Sequence, residues 1–188
     1  MDLLKDLDGC SFLFGENLHS GLPKIGIAND DLPLKFEEWD FFKRWGWSTA
    51  HFLDVCHQLA DAGHLFVGKS EPGTAAAWQR MADAGHRVHV KTDRAFGANG
   101  GQPSRNATLR YLVDEGFPFH SVLFTADKTE GTFCHMGLED KLENYDALEA
   151  AGTEIVLINR PWNQVPGGDT RRRVSTVDEF ADMVLAKG

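Results

Sequence analysis

Cysteine is scarce in this chain of 188 residues: Cys10, Cys56 and Cys134 stand far apart, with no CxxC spacing. That excludes a disulfide framework and a cysteine zinc site, and the three read as reduced thiols. No apolar run approaches the roughly 18 residues that a membrane span requires. The first residues also lack the basic and apolar segments of a secretory leader. The expectation is a cytoplasmic protein with no membrane partner. Positive charge is short as well, with 19 Lys and Arg against 28 Asp and Glu and a formal net charge of −9. Such a balance argues against a nucleic-acid polymer as partner, but not against one small phosphorylated ligand, which needs only a few local cations. The single basic run, residues 171–173, follows a glycine loop and reads as a solvated edge.

What is present is enough apolar content, 42%, for the core of one domain. "DLLK" opens the chain as a strand. From Pro72 onward helix and strand patterns alternate: "GTAAAWQRMADAG" is a helix, "HRVHVKT" a strand, "SRNATLRYLVDEG" a helix and "HSVLFTA" a strand. "KLENYDALEAAG", "TEIVLIN" and "TVDEFADMVLA" continue as helix, strand and helix. That order predicts a three-layer, Rossmann-like α/β domain with a parallel sheet and right-handed crossovers.

Between the first strand and the alternating part lie about 60 residues, far more than the few of an ordinary βα loop. Residues 10–33 read as loop, and "FEEWDFFKRWGW" reads as a short helix stopped by Gly46. "STAHFLDVCHQLADAGH" reads as a helix capped by Ser48 and ended at Gly63. The expected organisation is a core of residues 1–10 and 68–188 with a small helical cap inserted at about 11–67. The cap would lie over the C-terminal edge of the sheet, where open α/β sheets bind ligands.

The chemistry concentrates at the strand ends. The first strand runs into Asp6-Leu7-Asp8-Gly9, which by itself is equally a polar turn. The strand "VHVKT" ends in Thr92 followed by Asp93, "FTADKT" delivers Lys128, and "GLEDK" carries Glu139 and Asp140. In a parallel sheet these ends share one edge. The repelling aspartates would then be answered by a divalent metal, helped by Lys128. A hard oxygen cluster of Asp6, Asp140 and a backbone carbonyl suits Mg²⁺. One carboxylate can attack phosphorus. A second acid, two residues on, can move the protons. A hydroxyl and an ammonium can hold phosphoryl oxygens.

"DLDG", "VKT", "ADKT" and "LEDK", in that order, resemble the motifs of the haloacid dehalogenase (HAD) superfamily of phosphohydrolases and span nearly the whole chain. "EPGTAAAWQRMADAGHRVHVKTDR" and "LEDKLENYDAL" are most similar to the 5′(3′)-deoxyribonucleotidase group. The resemblance implies Asp6 as nucleophile, Asp8 as acid/base and carbonyl ligand, and Asp140 as a further metal ligand. It makes Thr92 and Lys128 phosphate binders, with Asp93 where a small hydroxyl residue is common beside the phosphate. Glu139 stands where the group has the first of two aspartates and falls outside the metal's direct ligands. The implied activity is a Mg²⁺-dependent phosphomonoesterase working through an aspartyl-phosphate, with a (deoxy)nucleoside monophosphate as substrate. A sugar phosphate or other small ester is the alternative, and a non-catalytic phosphate-binding or regulatory module is the alternative of another class.

The cap aromatics read mainly as the cap's own core. Trp45 and Trp47, either side of the helix-breaking Gly46, are the ones expected to face a base. His51 and His57 read as surface residues, His89 as packed, and His135 as structural. "GANGG" (residues 97–101) reads as a flexible connection and "PWNQVPGG" (161–168) as a turn. The oligomeric expectation is a monomer or homodimer.

Overall fold

The computed structural model describes residues 1–187. Six strands form one parallel sheet: β1 (Asp2–Lys5), β2 (Arg87–Thr92), β3 (Ser121–Phe124), β4 (Met136–Glu139), β5 (Glu154–Ile158) and β6 (Arg173–Val174). Their spatial order is β3-β2-β1-β4-β5-β6. The chain winds outward through β2 and β3, then restarts on the other side of β1 with β4. This reversal opens a crevice between the C-terminal ends of β1 and β4, the place where open α/β sheets take ligands. β6, only two residues long, is absent from the sequence reading because so short a strand carries no period.

Strand β1 shows why the sheet has helices on both faces. Leu3 and Leu4 point to opposite sides, as alternation requires, and they enter two separate apolar clusters. On the Leu3 side lie helices α3 (Thr74–Asp83), α4 (Ala98–Asp114) and α6 (Val177–Leu185). There Trp78 of α3 meets Phe180 of α6 with ring centroids 5.7 Å apart. Lys5 points the same way and is fully buried, its ammonium 2.9 Å from the centroid of Phe117. Burial holds its pKa well below the usual lysine range. On the Leu4 side α5 (Leu142–Ala150) contributes Tyr145 and Leu148.

Residues 11–67 carry two further helices, α1 (Phe14–Gly21) and α2 (Thr49–Asp61). Ser48 caps α2 by accepting from His51 N at 3.2 Å. Helix α1 replaces the expected loop. Its sequence, FGENLHSG, has two glycines and no side-chain cap, so local propensity is silent. Tertiary packing makes it, because Phe36 lies so close over Gly15 that any Cβ there would overlap the ring. The helix expected from Phe36 to Trp47 shrinks to a 3-10 turn, Phe41–Trp45. The two chain crossings run side by side, with Phe12 bridging Asp8 on one side and Ser70 on the other.

Candidate active site

Beyond Lys5 the chain leaves the sheet in a tight turn, with the amides of Cys10, Ser11 and Phe12 all donating to Leu7 O at 2.8–3.2 Å. The turn separates the two aspartates. Asp6 is buried in the crevice, and its Oδ1 accepts from Lys128 Nζ at 2.5 Å. Asp8 turns the other way, where Arg94 grips both its oxygens, Nε to Oδ2 at 2.9 Å and Nη2 to Oδ1 at 2.7 Å. The expectation that Lys128 helps answer both aspartates is therefore corrected. Each has its own cation, and Lys128 is not the only one nearby. Residues two apart share a side only while the strand continues, and this one has ended.

Lys128 sits on the loop after β3, where Asp127 Oδ1 accepts from Thr129 N at 2.9 Å and from Thr129 Oγ1 at 2.6 Å. From beneath, buried Lys91 donates to Lys128 O at 2.9 Å. Besides Asp6, Lys128 reaches Glu139 Oε2 at 2.7 Å. The other Glu139 oxygen accepts from the amides of Asp140 and Lys141 at 3.2 and 3.3 Å. Glu139 is fully buried and positions Lys128 and the Asp140 backbone.

The Asp140 carboxylate accepts from Trp162 Nε1 at 2.8 Å, and its carbonyl from Asn163 Nδ2 at 2.8 Å. Trp162 and Asn163 lie in a 3-10 turn, Pro161–Asn163, within the stretch expected to be a plain turn. They are functional neighbours that sequence reasoning missed. Gly9, at φ +73°, lies against Asp140 so closely that a Cβ would overlap the carboxylate. Only glycine fits both the conformation and the contact.

Three buried carboxylates around one lysine leave negative charge in excess. Burial, then Glu139, raises the pKa of Asp6 to about 7 against the pull of Lys128. Burial and Asp6 push Asp140 well above the carboxylate range. Lys128 moves above its usual value because the attraction of Asp6 and Glu139 outweighs its burial. A carboxylate oxygen of Asp6, one of Asp140 and Cys10 Sγ all lie within 4.8 Å of one another. Two crowded hard oxygens suit a divalent cation such as Mg²⁺, which would remove the repulsion. The thiol is too soft a donor for it, and burial keeps that thiol protonated. The Asp8 carboxylate stands outside this group, held by Arg94.

Thr92 ends β2 on the same floor. Its Oγ1 is buried without a hydrogen-bond partner among the described residues, and Thr92 lines the cavity. Asp93 beside it is exposed and lines the cavity. A carboxylate repels a phosphoryl oxygen, so only its backbone amide suits the expected phosphate contact.

Over this floor lies a cavity of about 610 Å³, walled by Phe14, Phe36, Trp39, Phe41, Phe42 and Phe52 from the stretch between β1 and β2. Phe42 and Phe52 stack with centroids 4.1 Å apart. Trp39, 57% exposed, stands at the rim, where Lys141 Nζ approaches its ring centroid to 5.3 Å. The expectation for Trp45 and Trp47 is corrected, since neither lines the cavity. Trp45 is buried in the cap and donates to Pro33 O at 3.1 Å, with Trp47 edge-on at 5.0 Å. Gly46 turns the chain at φ +74° without freeing either ring.

Among the histidines, His89 is buried, with Nε2 2.8 Å from Asp2 Oδ1 and Nδ1 2.7 Å from Ser121 Oγ. His57 accepts from Gly97 N at 2.9 Å, and Asp61 accepts from Ala98 N at 2.6 Å. The "GANGG" stretch is thus the left-handed start of α4, anchored to α2, and not a free connection.

No family profile and no curated protein matches this sequence. Solved structures do. A D,D-heptose 1,7-bisphosphate phosphatase from Burkholderia thailandensis superposes with a TM-score of 0.57 at 16% identity, covering 98% of each chain. The L-2-haloacid dehalogenase from Xanthobacter autotrophicus, with chloropropionic acid covalently bound, gives 0.60 at 8% identity over 100% of this chain and 99% of its own. The D,D-heptose 1,7-bisphosphate phosphatase from B. bronchiseptica, complexed with magnesium and phosphate, gives 0.51 at 15% identity over 100% of both. The chain has the fold of the haloacid dehalogenase-like hydrolases.

Proposed function

We propose that the protein is a phosphomonoesterase in which Asp6 is the nucleophile. The observation that carries this reading is the cavity floor. Asp6, Lys128, Asp140 and the unpartnered hydroxyl of Thr92 lie together there, at the fold's switch point. In the first step Asp6 attacks phosphorus, and the P–O bond to the leaving group breaks as Asp8 gives its proton to the departing oxygen. In the second, water attacks the aspartyl-phosphate while Asp8 takes the proton back, releasing phosphate and restoring both carboxyls. Lys128 and Thr92 hold the phosphoryl oxygens that gather charge. Asp6, Asp140 and the Asp8 carbonyl would hold Mg²⁺. When bound, the ion supplies a Lewis acid at a phosphoryl oxygen. The magnesium and phosphate complex of the B. bronchiseptica protein supports that choice.

The leaving group we favour is a nucleoside. A wall of rings suits a flat base better than a polyol, and Trp39 replaces Trp45 and Trp47 as its candidate partner. The second reading is a sugar phosphate, favoured by the heptose bisphosphate phosphatases among the similar structures. The test compares kcat/KM on a deoxynucleoside monophosphate, a hexose phosphate and p-nitrophenyl phosphate with Mg²⁺, in wild type and Trp39→Ala. A nucleotide preference weakened roughly tenfold by Trp39→Ala, consistent with the energy of a base–aromatic stack, supports the nucleotide. A sugar preference indifferent to Trp39 supports the second reading. No turnover of any ester overturns the phosphatase.

A further inference from the structure

We propose that Arg94 is a positioning residue for proton transfer, acting on the reaction only through Asp8. The inference rests on the role given to Asp8 above. Arg94 is fully buried and does not line the cavity, whereas Asp8 does, with 28% of its side chain exposed. A ligand in this cavity would meet Asp8 and not the guanidinium, so Arg94 would act through the carboxylate it grips. Its two parallel hydrogen bonds fix both the place and the plane of that carboxylate. Only the outward lone pairs remain, to carry the proton given to a leaving oxygen or to take one from a water.

The clamp is itself immobilised. The guanidinium carbon lies 4.6 Å from the ring centroid of Phe12 and 4.3 Å from that of Phe66. These two residues bracket the cap, one on the outgoing crossing and one shortly before the return. Its third nitrogen donates to Thr108 Oγ1 at 3.3 Å, and Thr108 is tied to Ser104 O at 2.8 Å within α4. The two rings, with centroids 6.2 Å apart and planes tilted by 59°, form a corner against the cation, and a helix holds it from behind, which restrains it from following Asp8 if it swings. Asp8 is therefore set at one angle to the cavity. Lysine keeps the charge but loses the plane and the second bond.

A residue that only filled the core would, when changed, affect all substrates alike. Positioning of the proton donor predicts a split by leaving group. An alkyl phosphate needs a proton on its leaving oxygen, and p-nitrophenyl phosphate does not. The parameter to read is kcat/KM, which stops at formation of the aspartyl-phosphate and excludes the later hydrolysis step. Arg94→Lys should lower it about 10- to 100-fold on the alkyl ester, less than the roughly 10²–10⁴-fold of full acid–base assistance because Asp8 itself remains, and less than about threefold on the aryl ester. Asp8→Asn should show the same split, and Asp8→Asn with Arg94→Lys no further loss on the alkyl ester. Equal losses on the two esters, or additive losses in the double variant, overturn the proposal. Should Arg94→Lys not fold, Thr108→Val releases the clamp from behind in a nearly isosteric way. It should give the same split at about threefold, and an unsplit response overturns the proposal equally. Wild-type inactivity on both esters would instead overturn the phosphatase reading.

Discussion

The two ends of the parallel sheet hold similar side chains and treat them differently. At the N-terminal end, the Asp2 carboxylate is met by Arg87 at 2.8 Å and by His89 at 2.8 Å, while its backbone N–H donates to His135 Nδ1 at 3.1 Å. Ser121, His89 and Asp2 even form a hydroxyl–imidazole–carboxylate chain. Yet none of these residues lines the cavity, and the Arg87 hydrogen bond leads in holding Asp2 below its usual pKa, against its burial. At the C-terminal end, Asp6 and Glu139 share one lysine with Asp140 crowded beside them, and Asp6 is raised to about 7. A triad-like arrangement with every charge answered is architecture. The end with charge left over, an unpartnered hydroxyl and a cavity above it is the one built to receive a ligand.

The largest effect should come from removing the attacking group. Asp6→Asn is expected to lower turnover of p-nitrophenyl phosphate by about 10⁴-fold or more, since nothing else can form the phosphoryl bond. A loss under tenfold would break the contrast at its centre. Lys128→Met comes next. It leaves two buried carboxylates without their cation, and breaking a buried pair typically costs about 3–5 kcal/mol. Urea unfolding should show that loss at pH 8, and less of it at pH 5, where Asp6 takes up a proton instead.

The ends should also answer pH with opposite sign. Asp6 has a folded pKa of about 7 against 3.8 for an ordinary aspartate. Its contribution is present below about pH 4 and lost as pH rises to about 7. Asp2, lowered in the fold, contributes above its ordinary value and loses that contribution as pH falls. Melting in EDTA should therefore decline from pH 5 to 8, and millimolar Mg²⁺ should reverse the decline. Bound at a hundred times Kd, the ion adds about 2.7 kcal/mol. Asp140→Asn should raise melting in EDTA at pH 8 and abolish the response to Mg²⁺. A response kept in full would remove Asp140 from the metal site. The smallest effect on catalysis is expected from Asp2→Asn, which should cost about 1–3 kcal/mol in stability and leave kcat within a factor of two. A large drop in kcat would mean the far end is not mere architecture.

Much of this was legible in the sequence, for physical reasons that differ by residue. The alternation of helix and strand gave the sheet, and with it the edge on which Asp6, Thr92, Lys128, Glu139 and Asp140 meet. Arg94 was passed over because an arginine after Thr-Asp reads as surface until a fold closes rings around it. Trp162 and Asn163 lay in a glycine- and proline-marked stretch whose chemistry depends on reaching a residue some 20 positions earlier. Trp45, Trp47 and Trp39 share one short segment, and only the path of the chain decides which ring faces the cavity. The same limit applies to α1, which packing makes and propensity does not announce.

Phe66 sits at φ +57°, a backbone conformation that a bulky side chain adopts only when its surroundings insist. With Phe12 it walls Arg94, and both rings come from the stretch between β1 and β2. Replacing residues 11–67 by a short loop would therefore do more than open the cavity: it would strip the cover from a buried arginine and unfasten Asp8 as well.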